Sequence, residues 1–95
     1  MGLNSPFYGY EPGDGPDQVG VYELGIFGGD VVVYIGSGLI RDRLRAHAHS
    51  DEKQWQVYRC VVTNSRRRAR QIERREQRRY VDRHDALPPY NERIG

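Results

Sequence analysis

A chain of 95 residues, 37% hydrophobic and carrying a formal charge of +2, has material for one modest core and one domain. That size excludes a barrel enzyme or a dinucleotide-binding fold with its own substrate domain. One cysteine, Cys60, and three histidines exclude internal disulfides and cysteine-based zinc sites.

The small net charge hides an asymmetry. Residues 1–40 contain no Lys or Arg, so all 15 bases fall in residues 41–95, and 14 of them are Arg. The guanidinium is a planar fork of donors that matches phosphate, so a nucleic-acid partner is expected. The plainer reading is a solvated basic surface. No apolar run approaches the roughly 20 residues that span a bilayer, and no charged-then-apolar leader opens the chain. A cytoplasmic protein without a membrane partner is therefore expected, in a reducing compartment that suits a lone thiol.

Residues 1–18 are rich in Gly and Pro without periodicity, and predict an irregular arm. Residues 19–95 form the domain. Val19–Phe27 and Asp30–Gly36 are β-branched and aromatic runs separated by Gly28-Gly29, the pattern of a β-hairpin. Leu39–His49 brings Ile40, Leu44, His47 and Ala48 to one side at helical spacing. Gln54–Thr63 predicts a third strand, partly buried on both faces. A long helix runs from Asn64 or Ser65 to about His84 and stops before Pro88-Pro89. The order β-β-α-β-α predicts an α+β fold, a three-stranded antiparallel sheet flanked by helices.

Two features of the long helix do not fit a simple amphipathic element. Ala69, Ile72 and Tyr80 form its apolar stripe, and Glu76 falls in the middle of it. A carboxylate there loses water and needs a metal, an arginine or an opening in the fold. Arg79, Arg83 and Arg43 are its candidate ion-pair partners, and Glu73 lies on the margin. Arg66-Arg67-Arg68 occupy the first turn, against the helix dipole, where they favour an anion. With Arg41, Arg45, Arg75 and Arg79 they are the candidate nucleic-acid contacts.

The third constellation is Gly20-Val21-Tyr22, eleven residues, Tyr34-Ile35-Gly36, then Arg43 and His47 four apart, Glu76, and Asn91 after Pro88-Pro89-Tyr90. In this order the set resembles the GIY-YIG nucleases, over residues 19–91. The resemblance implies a metal-dependent endonuclease that hydrolyses DNA phosphodiester bonds, with RNA not excluded. It implies one divalent ion, Mg²⁺ or Mn²⁺, with Glu76 as its sole protein ligand. Tyr22 would be the general base, Tyr34 would bond the phosphate or its water, and Arg43 would stabilise phosphate charge. His47 would support Tyr22 or the phosphate, Asn91 would brace the site, and Gly20 and Gly36 would let backbone approach closely. Ser37-Gly38-Leu39 is one residue shorter than the pattern, which keeps Arg41 open beside Arg43. The spacing from Glu76 to Asn91 is slightly long, which keeps Glu73 open as the ligand.

The resemblance also requires Tyr22 and Tyr34 on one face of the sheet. A three-residue loop, Gly28-Gly29-Asp30, sets Tyr22 opposite Gly36 and achieves this. Trp55 is expected to pack or to stack a base at the rim, and Cys60 to be a small core residue. With no recognition domain in 95 residues, specificity would fall to a homodimer, a protein partner or the arm. The alternative function is a non-catalytic nucleic-acid-binding module using the Arg-rich helix 64–84.

Overall fold

The computed structural model describes Leu3, residues 5–28 and residues 31–93. Its α+β class is the one expected, with one strand more: a four-stranded antiparallel sheet and two helices. The elements are β1 (Tyr8–Gly9), β2 (Val19–Ile26), β3 (Val31–Leu39), α1 (Ile40–Ala48), β4 (Val57–Val62) and α2 (Arg66–His84). The spatial order is β1-β4-β2-β3. No helix among the described residues is long and apolar enough to cross a membrane.

The extra strand comes from the arm. Tyr8 pairs with Tyr58 and Gly9 with Val57, and the Tyr10 amide donates to the Gln56 carbonyl at 2.9 Å. Residues 1–18 are thus not wholly irregular. Two residues suffice to close an exposed edge, too short a run for alternation to reveal in sequence.

Strand alternation divides the core in two. Val21 and Ile35 face α2 and pack with Ala69 and Ile72. Tyr22 and Leu24 face α1 and pack with Ile40 and Leu44. The helices therefore cover opposite faces of the sheet. In α1 the expected side is kept at Ile40, Leu44 and His47, which are buried, whereas Ala48 is exposed. In α2 the Ser65 hydroxyl accepts from the Arg68 amide at 3.2 Å, capping the N-terminus. At the other end Asp85 takes a left-handed conformation, φ 62°, and ends the helix just ahead of the prolines.

The register places Tyr22 opposite Gly36, as the same-face requirement demands, but by a different device. Next to the turn, Ile26 pairs with Val31 and Gly25 with Val32, the register of a two-residue turn. The ladder then slips by one between Gly25 and Leu24, leaving Val33 as the extra residue. Beyond this bulge Leu24 pairs with Tyr34 and Tyr22 with Gly36. The bulge, not a three-residue loop, puts both tyrosines on one face. Gly29 and Asp30 of the expected loop lie outside the described residues.

Candidate active site

Tyr22 is fully buried at the centre of β2, and its neighbours explain two glycines. A Cβ on Gly36 would stand 2.6 Å from the Tyr22 hydroxyl and 2.7 Å from the Tyr34 ring. Only hydrogen fits where two phenol rings lie over the backbone. A Cβ on Gly20 would run into the Val61 carbonyl oxygen, in the adjoining strand β4. The glycines of Gly20-Val21-Tyr22 and Tyr34-Ile35-Gly36 are steric requirements of this sheet.

The Tyr22 hydroxyl lies 2.8 Å from His47 Nε2, and Arg43 Nε donates to it at 3.4 Å. The oxygen accepts from Arg43, and with His47 as the Nδ1–H tautomer it gives its own proton to Nε2. His47 is buried, and its pKa is pushed down to about 4, by burial first and then by Arg43 and Lys53. At neutral pH it is a neutral acceptor at Nε2. The result is a directional chain from Arg43 to Tyr22 to His47. Burial raises the Tyr22 pKa well above the ordinary tyrosine value, with Tyr34 adding to the rise and Arg43 opposing it. Tyr22 is thus a protonated hydroxyl near neutral pH, with a proton acceptor already in place. Tyr34 closes the cluster, its ring centroid 6.1 Å from that of Tyr22 and 4.8 Å from that of His47.

Tyr34 sits on the edge strand β3, and the chain's C-terminal part braces that strand. Asn91 Oδ1 accepts from the Ile35 amide at 2.9 Å, and its Nδ2 donates to the Ile35 carbonyl at 3.0 Å. One side chain thus mimics a paired strand next to Tyr34. Gln77, buried on α2 and missed in sequence, donates to the same carbonyl at 3.2 Å. Its position beside the apolar stripe was the available signal.

The two candidate carboxylates separate. Glu76 is buried, as its place in the stripe predicts, but on the α2 face, in a groove shared with Glu23, Arg59 and Arg79. It pairs with Arg79 Nη1 at 3.5 Å, and its charge helps raise the pKa of Glu23, after the larger effect of burial. This satisfies Glu76 by the ion pair that sequence allowed and leaves it away from Tyr22. Glu73, one turn earlier, reaches β3. The Ser37 hydroxyl donates to its Oε1 at 2.5 Å, Gln77 Nε2 donates to its Oε2 at 3.2 Å, and its charge acts on Tyr22. Burial raises the Glu73 pKa, and both hydrogen bonds oppose the rise. The reason is directional: Glu73 projects toward Ser37 on the edge strand, and Glu76 toward Glu23 on β2.

Arg43 and Arg41 also separate. Arg43 reaches Tyr22, whereas Arg41 Nε donates to the Gly15 carbonyl at 2.8 Å and ties the arm to α1. Among the other basic candidates, Arg45 pairs with Asp42 on the surface at 3.3 Å and Arg79 with Glu76. Arg66, Arg67, Arg68 and Arg75 are exposed along α2. Arg66, with Arg70 and Arg74, lines a cleft of about 250 Å³ that also holds Ser37, Gly38 and Glu73. These three arginines recur every fourth residue, so one row of the helix carries positive charge up to the Glu73 carboxylate.

A family model described as a domain of unknown function, DUF7508, matches residues 13–79. The chain belongs to the DUF7508 family. The DUF7508 match spans Tyr22, Tyr34, Arg43, His47, Glu73 and Glu76, and leaves Tyr10 and Asn91 outside. No curated protein and no solved structure matches the chain.

The resemblance implies a divalent ion, and the residues present fit a sparse site. Among the described residues no three His, Cys, Asp or Glu side chains are gathered as a metal cage. A single half-buried carboxylate, Glu73, held by Ser37 and Gln77, is a donor that suits Mg²⁺ when water and substrate phosphate complete the shell. Mn²⁺ accepts the same oxygen donors.

Proposed function

We propose that this protein is a metal-dependent endonuclease hydrolysing phosphodiester bonds of DNA, or of RNA, at a GIY-YIG-like site built from Tyr22, Tyr34, Arg43, His47 and Glu73. The observation that carries the reading is the Arg43–Tyr22–His47 chain: a buried hydroxyl held between a cation and a neutral base. Such a hydroxyl can take a proton from an attacking water as it passes its own to His47 Nε2. The high pKa of Tyr22 is then no obstacle, because no free phenolate forms. Arg43, exposed beyond its bond to Tyr22, offers its remaining donors to charge growing on the phosphate. Glu73 would hold the divalent ion, which when bound supplies Lewis-acid polarisation of the phosphate. Arg66, Arg70 and Arg74 lead the nucleic-acid backbone toward Glu73. Asn91 keeps β3, and with it Tyr34, in place.

Glu73 replaces Glu76 as metal ligand in this reading, because Glu76 is occupied by Arg79 in the groove it shares with Glu23 and Arg59. A cytoplasmic setting accords with the lone Cys60 thiol, and specificity is left to a second copy or a protein partner. The test is plasmid nicking with and without Mg²⁺ by the wild type, Glu73→Gln and Glu76→Gln. The reading expects Mg²⁺-dependent nicking that is lost in Glu73→Gln and kept in Glu76→Gln. Binding of DNA by the wild type with no nicking in Mg²⁺ or Mn²⁺ would establish the alternative, a binding module using the α2 arginine row.

A further inference from the structure

A second cleft, about 290 Å³ in volume, is lined by Tyr10, Ala48, Lys53, Gln54, Trp55 and Gln56. Its wall is aromatic. The Tyr10 and Trp55 ring centroids are 4.8 Å apart, and Tyr10 meets Tyr58 edge-on at 6.1 Å. Tyr10 is fixed in this wall by the pairing of β1 with β4 and by its amide bond to Gln56. Neither Tyr10 nor Trp55 is fully buried. The cleft also adjoins the Tyr22 cluster: Lys53, the chain's one lysine, lines it and places Nζ 5.3 Å over the Tyr34 ring. Aromatic faces, amide groups from Gln54 and Gln56, and one cation on the side of the phosphate-handling cluster match the parts of a nucleotide.

We infer that this cleft takes an unpaired nucleobase, stacked on the Tyr10–Trp55 wall with its phosphate toward Lys53. Every base has a π-face, so such stacking tolerates any sequence. A base inside a duplex is stacked and paired already and must be extruded first. The substrate is therefore a strand with unpaired nucleotides beside the cut, such as a single strand, a flap or a branch, rather than continuous duplex. The position of the cut rests on the nuclease reading of the Tyr22 cluster. The binding of the base does not.

Trp55 is the only tryptophan, so its emission reports the cleft directly. Titrations in EDTA use a short oligodeoxythymidylate, an oligouridylate of the same length, an abasic deoxyribose-phosphate strand of that length, and a blunt duplex. The expected result is saturable quenching by a base-bearing single strand and a markedly weaker response to the abasic strand and the duplex. Which homopolymer quenches identifies the source of the base. Tyr10→Leu should weaken single-strand binding about 5- to 150-fold, while far-UV circular dichroism confirms its fold. Absence of quenching by both homopolymers, or an abasic strand bound as tightly as they are, overturns the inference. Mg²⁺-dependent hydrolysis of bis(4-nitrophenyl) phosphate is measured on the same preparations. Hydrolysis without quenching removes the cleft and spares the nuclease reading, and quenching without hydrolysis does the reverse.

Discussion

Both faces of the sheet bury ionisable groups, and they do so on opposite principles. On the α2 face Glu23 bonds Arg59 at 2.6 Å and Glu76 pairs with Arg79, so each carboxylate has its own guanidinium. Arg59 is further held by the Ser5 carbonyl and by the Phe7 ring, its Cζ 4.3 Å from the centroid. Charge is cancelled there and the arm is pinned down. On the α1 face no carboxylate among the described residues pairs with Arg43 at its contact with Tyr22. The partner is a hydroxyl, and the next group is a histidine kept neutral. Paired charges in a core matter chiefly because removing one partner leaves the other buried and uncompensated. A cation facing a hydroxyl and a neutral base is poised to act on something not yet there. The difference teaches that burial alone does not mark a carboxylate as functional, since buried Glu76 has a guanidinium of its own, and that the proposed function rests on the pattern of partners instead.

Steric substitutions test that contrast most severely. Gly20→Ala sets a Cβ against the Val61 backbone carbonyl, which has little room to move, so the domain should fail to fold cooperatively in urea. Gly36→Ala instead collides with the ends of Tyr22 and Tyr34, which can swing away, so it should lose cleavage more than stability. Tyr22→Phe removes the hydroxyl alone and should lower cleavage about 10²- to 10⁴-fold with the fold kept. Equal cleavage by wild type and Tyr22→Phe would end the relay mechanism.

For the Glu23–Arg59 and Glu76–Arg79 pairs the expected effects are on stability alone. Arg59→Ala leaves Glu23 buried without its partner and should cost about 3 kcal/mol in chemical denaturation, with the pKa of Glu23 rising further. Nicking by the surviving folded fraction should be unchanged. A specific loss of turnover in that fraction would erase the division between the faces.

His47 gives a pH signature of intermediate size. Its folded-state pKa is depressed to about 4 from 6.5, so the unfolded chain binds more protons between those values. Stability from this group is complete above pH 6.5 and is lost as pH falls toward 4, about 3 kcal/mol in all. The raised pKa values of Glu23 and Glu73 act in the opposite sense, so the measurement is the difference between wild type and His47→Gln across that range. Cleavage should also fall with an acid limb near pH 4 rather than 6.5, since protonated His47 no longer accepts from Tyr22.

The smallest effects concern α2 itself. Each of Arg66, Arg70 and Arg74 replaced by Gln should reduce the salt slope of duplex binding by about 0.9 if it contacts a phosphate. Ser65→Ala removes the cap and should cost about 1 kcal/mol, with no change in that slope.

Sequence alone determined the α+β class and five of the six elements, because these depend on local periodicity and on breakers such as Pro88-Pro89. It narrowed the cap of α2 to Asn64 or Ser65, of which the structure uses Ser65. The resemblance to GIY-YIG nucleases also singled out Gly20, Tyr22, Tyr34, Gly36, Arg43, His47 and Asn91 as one set, by their order along β2, β3, α1 and the segment after α2. What it left open, Arg41 against Arg43 and Glu73 against Glu76, was separated only by tertiary structure. Within α2 the two carboxylates stand less than one turn apart, and helical position says only that both lie near the buried stripe. Which strand each one meets depends on how α2 crosses the sheet, and no local pattern encodes that crossing. The tyrosine register has a similar cause: the bulge at Val33 arises from the fit between β2 and β3, and alternation within either strand alone carries no trace of it.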